Sequence, residues 1–522
     1  MAKPIQSILI VGGGTAGWFA GAYLARRFGA ARPGGVRVTL IESADVPIVG
    51  VGEGTFPAIK KLILALGVEE GAFMRACSGA FKQGFLFLDW GRLPRNGARH
   101  RYYHPFNLPE RTRSGLDLLP YWLMGVAGDA PLSEAIAVQD AVCEAGKGPR
   151  SLTERPFFGA MNYAYHFDAG RLAEWLAGVG EEHGVKRLIG KVESVELDQH
   201  GAIAGLITRE HGRLEADLYI DCTGFRAELI GKALGSPYRE AGSHLMVNRA
   251  LAVQAPYGRA DHPIATTTIS TAKPAGWIWD IGLNSRRGVG YVYSAAHTTD
   301  ETAEAVLRDY LGPEHAGLDL HRRLSFNLGF RERPWVKNCV AIGLSGGFLE
   351  PLESTGIAMI DMSLEMLAEL LPRTSDTLDA AARAFGAVMT RRFEAAIDFL
   401  KLHYALSQRA DSAFWTDNAD PATWPESLKD KLEQWRERAP SPYDLPSTVD
   451  CFSLASWRFV LYGMGFETEL AGASARYPHA AEARAEFARI RQLAARAAAT
   501  LPDHRTLVEQ VYGSAAADPA AA

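Results

Sequence analysis

The sequence predicts an α/β fold centred on a nucleotide-binding sheet, and three observations carry that prediction. An apolar run, Ile8-Leu9-Ile10-Val11, leads into the turn Gly12-Gly13-Gly14-Thr15-Ala16-Gly17 and then into an alanine-rich helical pattern. A second run, Val36 to Ile41, closes on Glu42, about 25 positions past Gly17 and near the offset at which a carboxylate meets a ribose in dinucleotide-binding units. Far along the chain the logic returns: Cys339-Val-Ala-Ile-Gly343 feeds a turn at Leu344, and Glu350-Pro-Leu-Glu-Ser-Thr-Gly-Ile357 opens a long helical pattern to Leu371. Gly12 permits the tight turn, Gly14 lets the backbone approach a pyrophosphate, and Gly17 allows helix and strand to pack closely. The anion rests on the free N–H groups of the helix start.

Ser7 to Ala25 carries no charge and follows Lys3, so in isolation it resembles a leader or a membrane span. Three consecutive glycines, each costing about 1 kcal/mol inside a helix, argue instead for a turn in a soluble protein, and the scattered single cysteines fit reduced thiols in a cytoplasm. After Glu42 the segment Pro47 to Pro57 reads as a glycine-rich loop able to fold over a cofactor. A helix follows from Ala58 to Leu66, and alternation around Phe85, Phe87 and Leu88 reads as a strand with Lys82 at its start. His100 to Trp122 is aromatic and irregular, either pocket lining or core beneath a long loop. A helix begins at Phe167, and Val192–Asp198, Ile203–Thr208 and Leu214–Asp221 read as strands. Ala250 to Tyr293 is β-rich, and the chain from Leu371 to about Ala499 is mainly helical.

The 522 residues are 47% hydrophobic and 22% charged with a net charge of -5, enough for a large core and more than one structural region. No Lys/Arg block stands out, which argues against nucleic acid or an anionic membrane as partner and for a small molecule. The five cysteines are scattered singly, without a CxxC, so neither a disulfide framework nor a metal site is expected.

Two strand–turn–helix units far apart in one chain are what a discontinuous FAD-binding module requires, Rossmann-like and of GR2 type. The segments Gly12-Gly-Gly-Thr-Ala-Gly-Trp18, Gly50-Val-Gly-Glu-Gly-Thr55, Gly79-Ala-Phe-Lys82, Tyr103-His-Pro-Phe106, Asn162-Tyr-Ala-Tyr-His-Phe-Asp168, Asp221-Cys-Thr-Gly-Phe-Arg226, Gly276-Trp-Ile-Trp-Asp-Ile281 and Glu350-Pro-Leu-Glu-Ser-Thr-Gly-Ile357 occur in one order. On these the chain resembles the flavin-dependent tryptophan halogenases, over nearly its whole length.

The resemblance implies that FADH2, delivered by a separate NAD(P)H-dependent flavin reductase without need of a stable complex, works with O2 to oxidise halide to hypohalous acid, which then halogenates an aromatic. It implies Lys82 as the residue that guides the oxidant, by hydrogen bond or as a haloamine, and Glu353 as its polarising or proton-accepting partner. Ser354 links the flavin site to the lysine, and Thr355 and Gly356 hold halide. Gly12, Gly14, Thr15, Ala16, Gly17, Glu42, Gly52, Glu53 and Leu344 are the expected cofactor contacts. Alone, Lys82 would read as a snorkelling or paired lysine and Glu353 as a first-turn carboxylate; the set of motifs gives them function.

His104, Phe106, Trp277, Trp279 and Trp457 are the expected substrate-pocket residues. The family's Trp-x-Trp-x-Ile-Pro motif ends here in Gly282, which relaxes the backbone restraint a proline would impose. Ser441 to Ser456 is shorter than its counterpart, keeping Tyr443, Phe452 and Trp457 nearby, which favours indole or another electron-rich aromatic over tryptophan. The expected organisation is a FAD-binding and halogenation module over 1–400 with a β-rich substrate region at about 240–330, a helical cap over 401–513 lining the substrate pocket, and a disordered tail at 514–522. The alternatives are a FAD-dependent aromatic monooxygenase and a non-catalytic flavin-binding protein.

Overall fold

The computed structural model describes residues 3–45, 52–320, 322–445, 450–470 and 473–513. Most of the glycine-rich loop before Gly52, part of the segment after Ser441, and the tail expected to be disordered lie outside the described residues. The chain divides into two compact units, Met1–Ser78 with Phe167–Gly242 and Phe326–Glu394, and Gly79–His166 with Ser243–Ser325 and Ala395–Ala522.

The first unit is built on a six-stranded sheet in the order Trp335–Val336, Cys339–Ala341, Leu218–Asp221, Ser7–Val11, Arg37–Glu42, Val185–Ile189. All neighbours run parallel except the two-residue edge strand Trp335–Val336. Such a sheet must bury both faces, and alternate residues supply them. Ile10 lies in register between Leu40 and Ile220; on this side Ile10, Leu40 and Val185 sit beneath Gly21 of the opening helix Thr15–Arg27. On the other side Leu9, Val11, Ile41 and Tyr219 form a core with Ile203 and Leu206 of a three-stranded antiparallel sheet. The helix Ala169–Glu182 packs on the opening helix, Gly180 lying against the Trp18 ring.

The second unit holds a seven-stranded sheet in the order Arg322–Ser325, Arg249–Pro256, Arg286–Tyr293, Gly276–Gly282, Thr268–Lys273, Gly84–Leu88, Arg101–Pro105. Its pairs are antiparallel apart from Thr268–Lys273 with Gly84–Leu88. Leu251, Val253, Ile278, Val289, Tyr291 and Tyr293 point to one face, which Ala303, Leu307 and Leu311 of the helix Asp300–Leu311 cover. By strand alternation and register the opposite face carries Phe85, Phe87, Tyr102, His104, Trp277 and Trp279. The short pair Ala80–Lys82 and Ala164–Phe167, and the helices Ala413–Ala419, Glu426–Glu437, Leu454–Gly463, Ala480–Thr500 and His504–Gly513, complete the unit.

Two elements differ from the sequence expectation. The edge strand Val185–Ile189 is not expected, because Lys186 and Arg187 break its apolar pattern as charges on sheet edges do. Within the stretch read as irregular, Arg101–Pro105 is an edge strand whose Tyr102 and His104 point inward. The helix His504–Gly513 falls within the helical region expected over 401–513. Among the described residues no helix is long and apolar enough to cross a membrane.

Candidate functional site

The glycine turn is shaped by steric necessity. Gly12 adopts φ +110, and a Cβ there would fall 2.3 Å from the Cys222 carbonyl oxygen; at Gly17 it would fall 1.8 Å from the Gly12 carbonyl oxygen. Gly14 differs: nothing lies within 4 Å of where its Cβ would be, and no side chain caps the helix Thr15–Arg27, whose first turn has no acid. An open space before bare N–H groups, with Arg26 and Arg27 at the far end of the helix, fits the pyrophosphate of a dinucleotide.

Glu42 closes its strand beside this turn, but not alone. Its Oε1 accepts from Arg187 Nε at 2.6 Å and its Oε2 from Trp18 Nε1 at 3.3 Å, and a Cβ on Gly13 would collide with that oxygen. The carboxylate is thus held against the turn by a partner from the unexpected edge strand. Burial first, and the Asp168 carboxylate second, push Glu53 up to about 7; Asp168 itself caps the helix Ala169–Glu182 through Gly170 N and Arg171 N.

The second glycine turn meets the first. Gly343 adopts φ +76, and a Cβ there would fall 2.6 Å from Ala16 Cβ, so only glycine allows the turn to lie on the start of the opening helix. Asp221, buried at its strand end, braces this region: Oδ1 accepts from Thr223 N and Oγ1, and Oδ2 from Leu229 N and Ile230 N. Ser345 Oγ donates to the Asp221 carbonyl. Leu344 stays on the surface.

Glu353 is fully buried, and Ser354 takes a left-handed conformation (φ 54) that turns the chain into the helix Thr355–Leu370. That helix also lacks a side-chain cap and an acidic first turn. Gly356 faces open space, and the buried Thr355 hydroxyl has no hydrogen-bond partner. A buried unsatisfied donor at a bare helix start fits a small anion.

In the second unit, Lys82 is buried with Nζ 3.6 Å from the Phe85 ring centroid and 5.4 Å from that of Phe106. His104 stacks on Phe85 (5.7 Å, 18°) and Phe106 meets it edge-on (5.9 Å, 87°). From His104 the rings continue through Phe399 to Phe452 and Trp457. From Phe85 they continue through Phe87 and Trp90 to Trp277 and Trp279. Every residue expected in the substrate pocket is thus linked to Lys82 through a chain of ring contacts. Tyr443 is not, being 94% exposed.

Trp279 lies across Gly290, where a Cβ would fall 2.1 Å from the indole. Gly282 serves packing more than freedom: a Cβ there would crowd Ala265 N at 2.9 Å and Ile264 Cγ2 at 3.0 Å. Sequence reading noted Phe452 beside Trp457 but missed Phe399, the ring that joins both to His104, and Asp221 as a brace. For Phe399 the only signal was an apolar position in a helix; Asp221 could have been suspected from its place between a buried strand and a Thr-Gly turn.

One unit pairs glycine turns with two bare helix starts, and the other seats a buried lysine among stacked rings: the class is a dinucleotide-binding α/β protein that also carries a buried cation on an aromatic cluster. The tryptophan halogenase family description matches residues 7–477, and the chain belongs to that family; it is a flavin-dependent halogenase. It is 35% identical over 518 residues to tryptophan 6-halogenase SttH of Streptomyces toxytricini, covering 95% of this chain and 96% of that one. It is similar to the crystal structure of a tryptophan halogenase from Shewanella frigidimarina NCIMB 400 at 38% identity and TM-score 0.93, covering 98% of each chain. It is also similar to BrvH, a flavin-dependent halogenase from Brevundimonas sp. BAL3, at 34% identity and TM-score 0.86, covering 97% of this chain and 99% of that one. The Rossmann-like α/β expectation and the family resemblance both hold.

Proposed function

We propose that the protein is a two-component halogenase that converts bromide or chloride to hypohalous acid and directs it from Lys82 onto indole or a related electron-rich aromatic. Reduced FAD, supplied by a separate NAD(P)H-dependent reductase and reacting with O2, furnishes the two-electron oxidation of halide. The turn from Gly12 to Gly17, with Thr15 and Ala16 at the helix start, holds the pyrophosphate; Glu42 takes the ribose, and Gly52, Glu53 and Leu344 flank the cofactor. Thr355 and Gly356 hold the halide through a hydroxyl and backbone N–H, with Ser354 setting the bend that presents them.

The observation that carries the reading is Lys82, buried and seated on Phe85. A nitrogen 3.6 Å from a ring centroid is attracted to it as an ammonium, which supports hydrogen bonding to the oxidant over a haloamine. The carbon–halogen bond then forms as the oxygen–halogen bond breaks; the leaving oxygen takes a proton from Lys82 to become water, and Glu353 takes the proton displaced from the ring. His104, Phe106 and Trp457, with the helices of 401–513, hold the aromatic, and Trp277 and Trp279 keep it from the flavin.

A neutral substrate is supported by Arg458, next to Trp457, whose guanidinium is engaged by Asp117 Oδ2 (2.9 Å) and the Pro440 carbonyl; it is not left to meet a carboxylate. Turnover of Lys82→Ala with FAD, a reductase, NADH and bromide tests the assignment. Loss of product with FAD binding intact is expected, and halogenation surviving in that variant would contradict it.

A further inference from the structure

His166 lies in Asn162-Tyr-Ala-Tyr-His-Phe-Asp168, a segment to which the halogenation chemistry assigns no role. Strand pairing fixes its place: Ala80 faces His166 and Lys82 faces Ala164, so Lys82 and His166 share one face as diagonal neighbours, within reach of long side chains. The ring is fully buried. Its Nε2 lies 2.8 Å from Thr268 Oγ1, and Thr268 is the register partner of Phe85, the ring on which Lys82 sits. The hydrogen bond thus ties the partner strand of Ala80–Lys82 to the strand beside the lysine's aromatic seat.

Charge points the same way. Burial first, then the Lys82 charge, then His504, hold the imidazole well below its ordinary range, with the Gly282 backbone, near the ring but outside hydrogen-bonding geometry, opposing them. His504, which follows Asp503 and precedes Arg505, is itself pushed down to about 4 by burial. A neutral ring adds no second charge beside Lys82.

We propose that His166, anchored by Thr268, is a positioning residue for Lys82: it fixes the lysine strand relative to Phe85. The inference rests on the assignment of Lys82. A misplacement of about 1 Å costs about 100-fold in rate, so the effect belongs in kcat. In His166→Phe and Thr268→Val, kcat should fall on the order of 10- to 100-fold while the aromatic KM and FAD affinity hold. His166→Gln, whose amide reaches the Nε2 position without a titrating ring, should restore kcat to within about threefold of wild type. Histidine 15N NMR, with the His166 signal assigned by its loss in His166→Gln, should report a ring that stays neutral where a free imidazole already protonates.

If His166→Phe does not fold, Thr268→Val carries the test by itself. Wild-type kcat in Thr268→Val, a fall in KM-limited binding with kcat unchanged, or a His166 ring that titrates near 6.5 would overturn the inference. Halogenation by Lys82→Ala would sink the reading beneath it, whereas an inactive Lys82→Ala beside a fully active Thr268→Val would sink this inference alone.

Discussion

Asp221 shows how much a single buried side chain can hold. Four donors converge on it, three of them backbone N–H groups, so Asp221→Ala would strand them in the core. Buried groups left unsatisfied cost about 1–3 kcal/mol each before relaxation, so a loss of at least about 3 kcal/mol is expected, read as a lowered Tm and weakened FAD retention. An unchanged Tm would contradict the bracing role. Thr355 is the opposite case, a buried hydroxyl without a partner. Its proposed work is on halide alone, so Thr355→Ala should raise the halide KM about tenfold, the worth of about one hydrogen bond to a charged group, and leave Tm unchanged. Equal halide KM values in the two proteins would remove Thr355 from the site. Glu353→Gln should lower kcat at least about 100-fold if the carboxylate is the proton acceptor, and wild-type turnover would point to another base.

At the scale of elements, the glycine turn separates two requirements that the sequence presented together. Gly17 is closed in by the Gly12 carbonyl, whereas Gly14 looks into open space. Gly17→Val should therefore destabilise the fold, while Gly14→Val should leave the Tm of the apoprotein near wild type and weaken FAD binding. Equal FAD affinity in Gly14→Val and wild type, by fluorescence titration, would contradict the reading of that space. The strand–turn–helix units were legible because glycine spacing and apolar runs are local. The carboxylate of Glu42 at its strand end was legible too, but its Arg187 partner was not, since that residue arrives on an edge strand whose charges conceal its periodicity. Lys82, His104, Phe106 and the two tryptophans were recognised by motif; that Phe85, three residues on, seats the lysine turns on the bend at Gly84 (φ +146) between Ala80–Lys82 and Gly84–Leu88, which the apolar alternation alone does not announce.

Across the molecule, chain order interleaves two units, so the residues of each had to be assembled from three segments. Sequence spacing alone carries no record of which distant strands pair, and only motif resemblance linked Lys82 to Trp457. Buried titratable groups also give the whole protein a pH response. As pH falls below about 6.5, the unfolded chain binds a proton at the His504 position while the native ring stays neutral to about 4, so stability is lost across that window, by roughly 3 kcal/mol in full. Glu53 and Asp140, each raised to about 7, act with the opposite sign: the native state holds their protons between about 4 and 7, and stability falls as pH rises through that range. The His504 contribution is isolated by comparing Tm against pH for wild type and His504→Gln. The wild type should lose more stability between pH 6.5 and 4, and parallel curves would contradict the assignment.

The most direct test of halogenation guided by Lys82 is mass spectrometry of the products formed from indole, tryptophan and phenols with FAD, a flavin reductase, NADH and either bromide or chloride, in wild type and Lys82→Ala. The account predicts a halogen isotope pattern on indole or a related electron-rich aromatic that requires reductase and halide and vanishes in Lys82→Ala. Products that gain one oxygen without halogen, or halogenated products undiminished in Lys82→Ala, would contradict it.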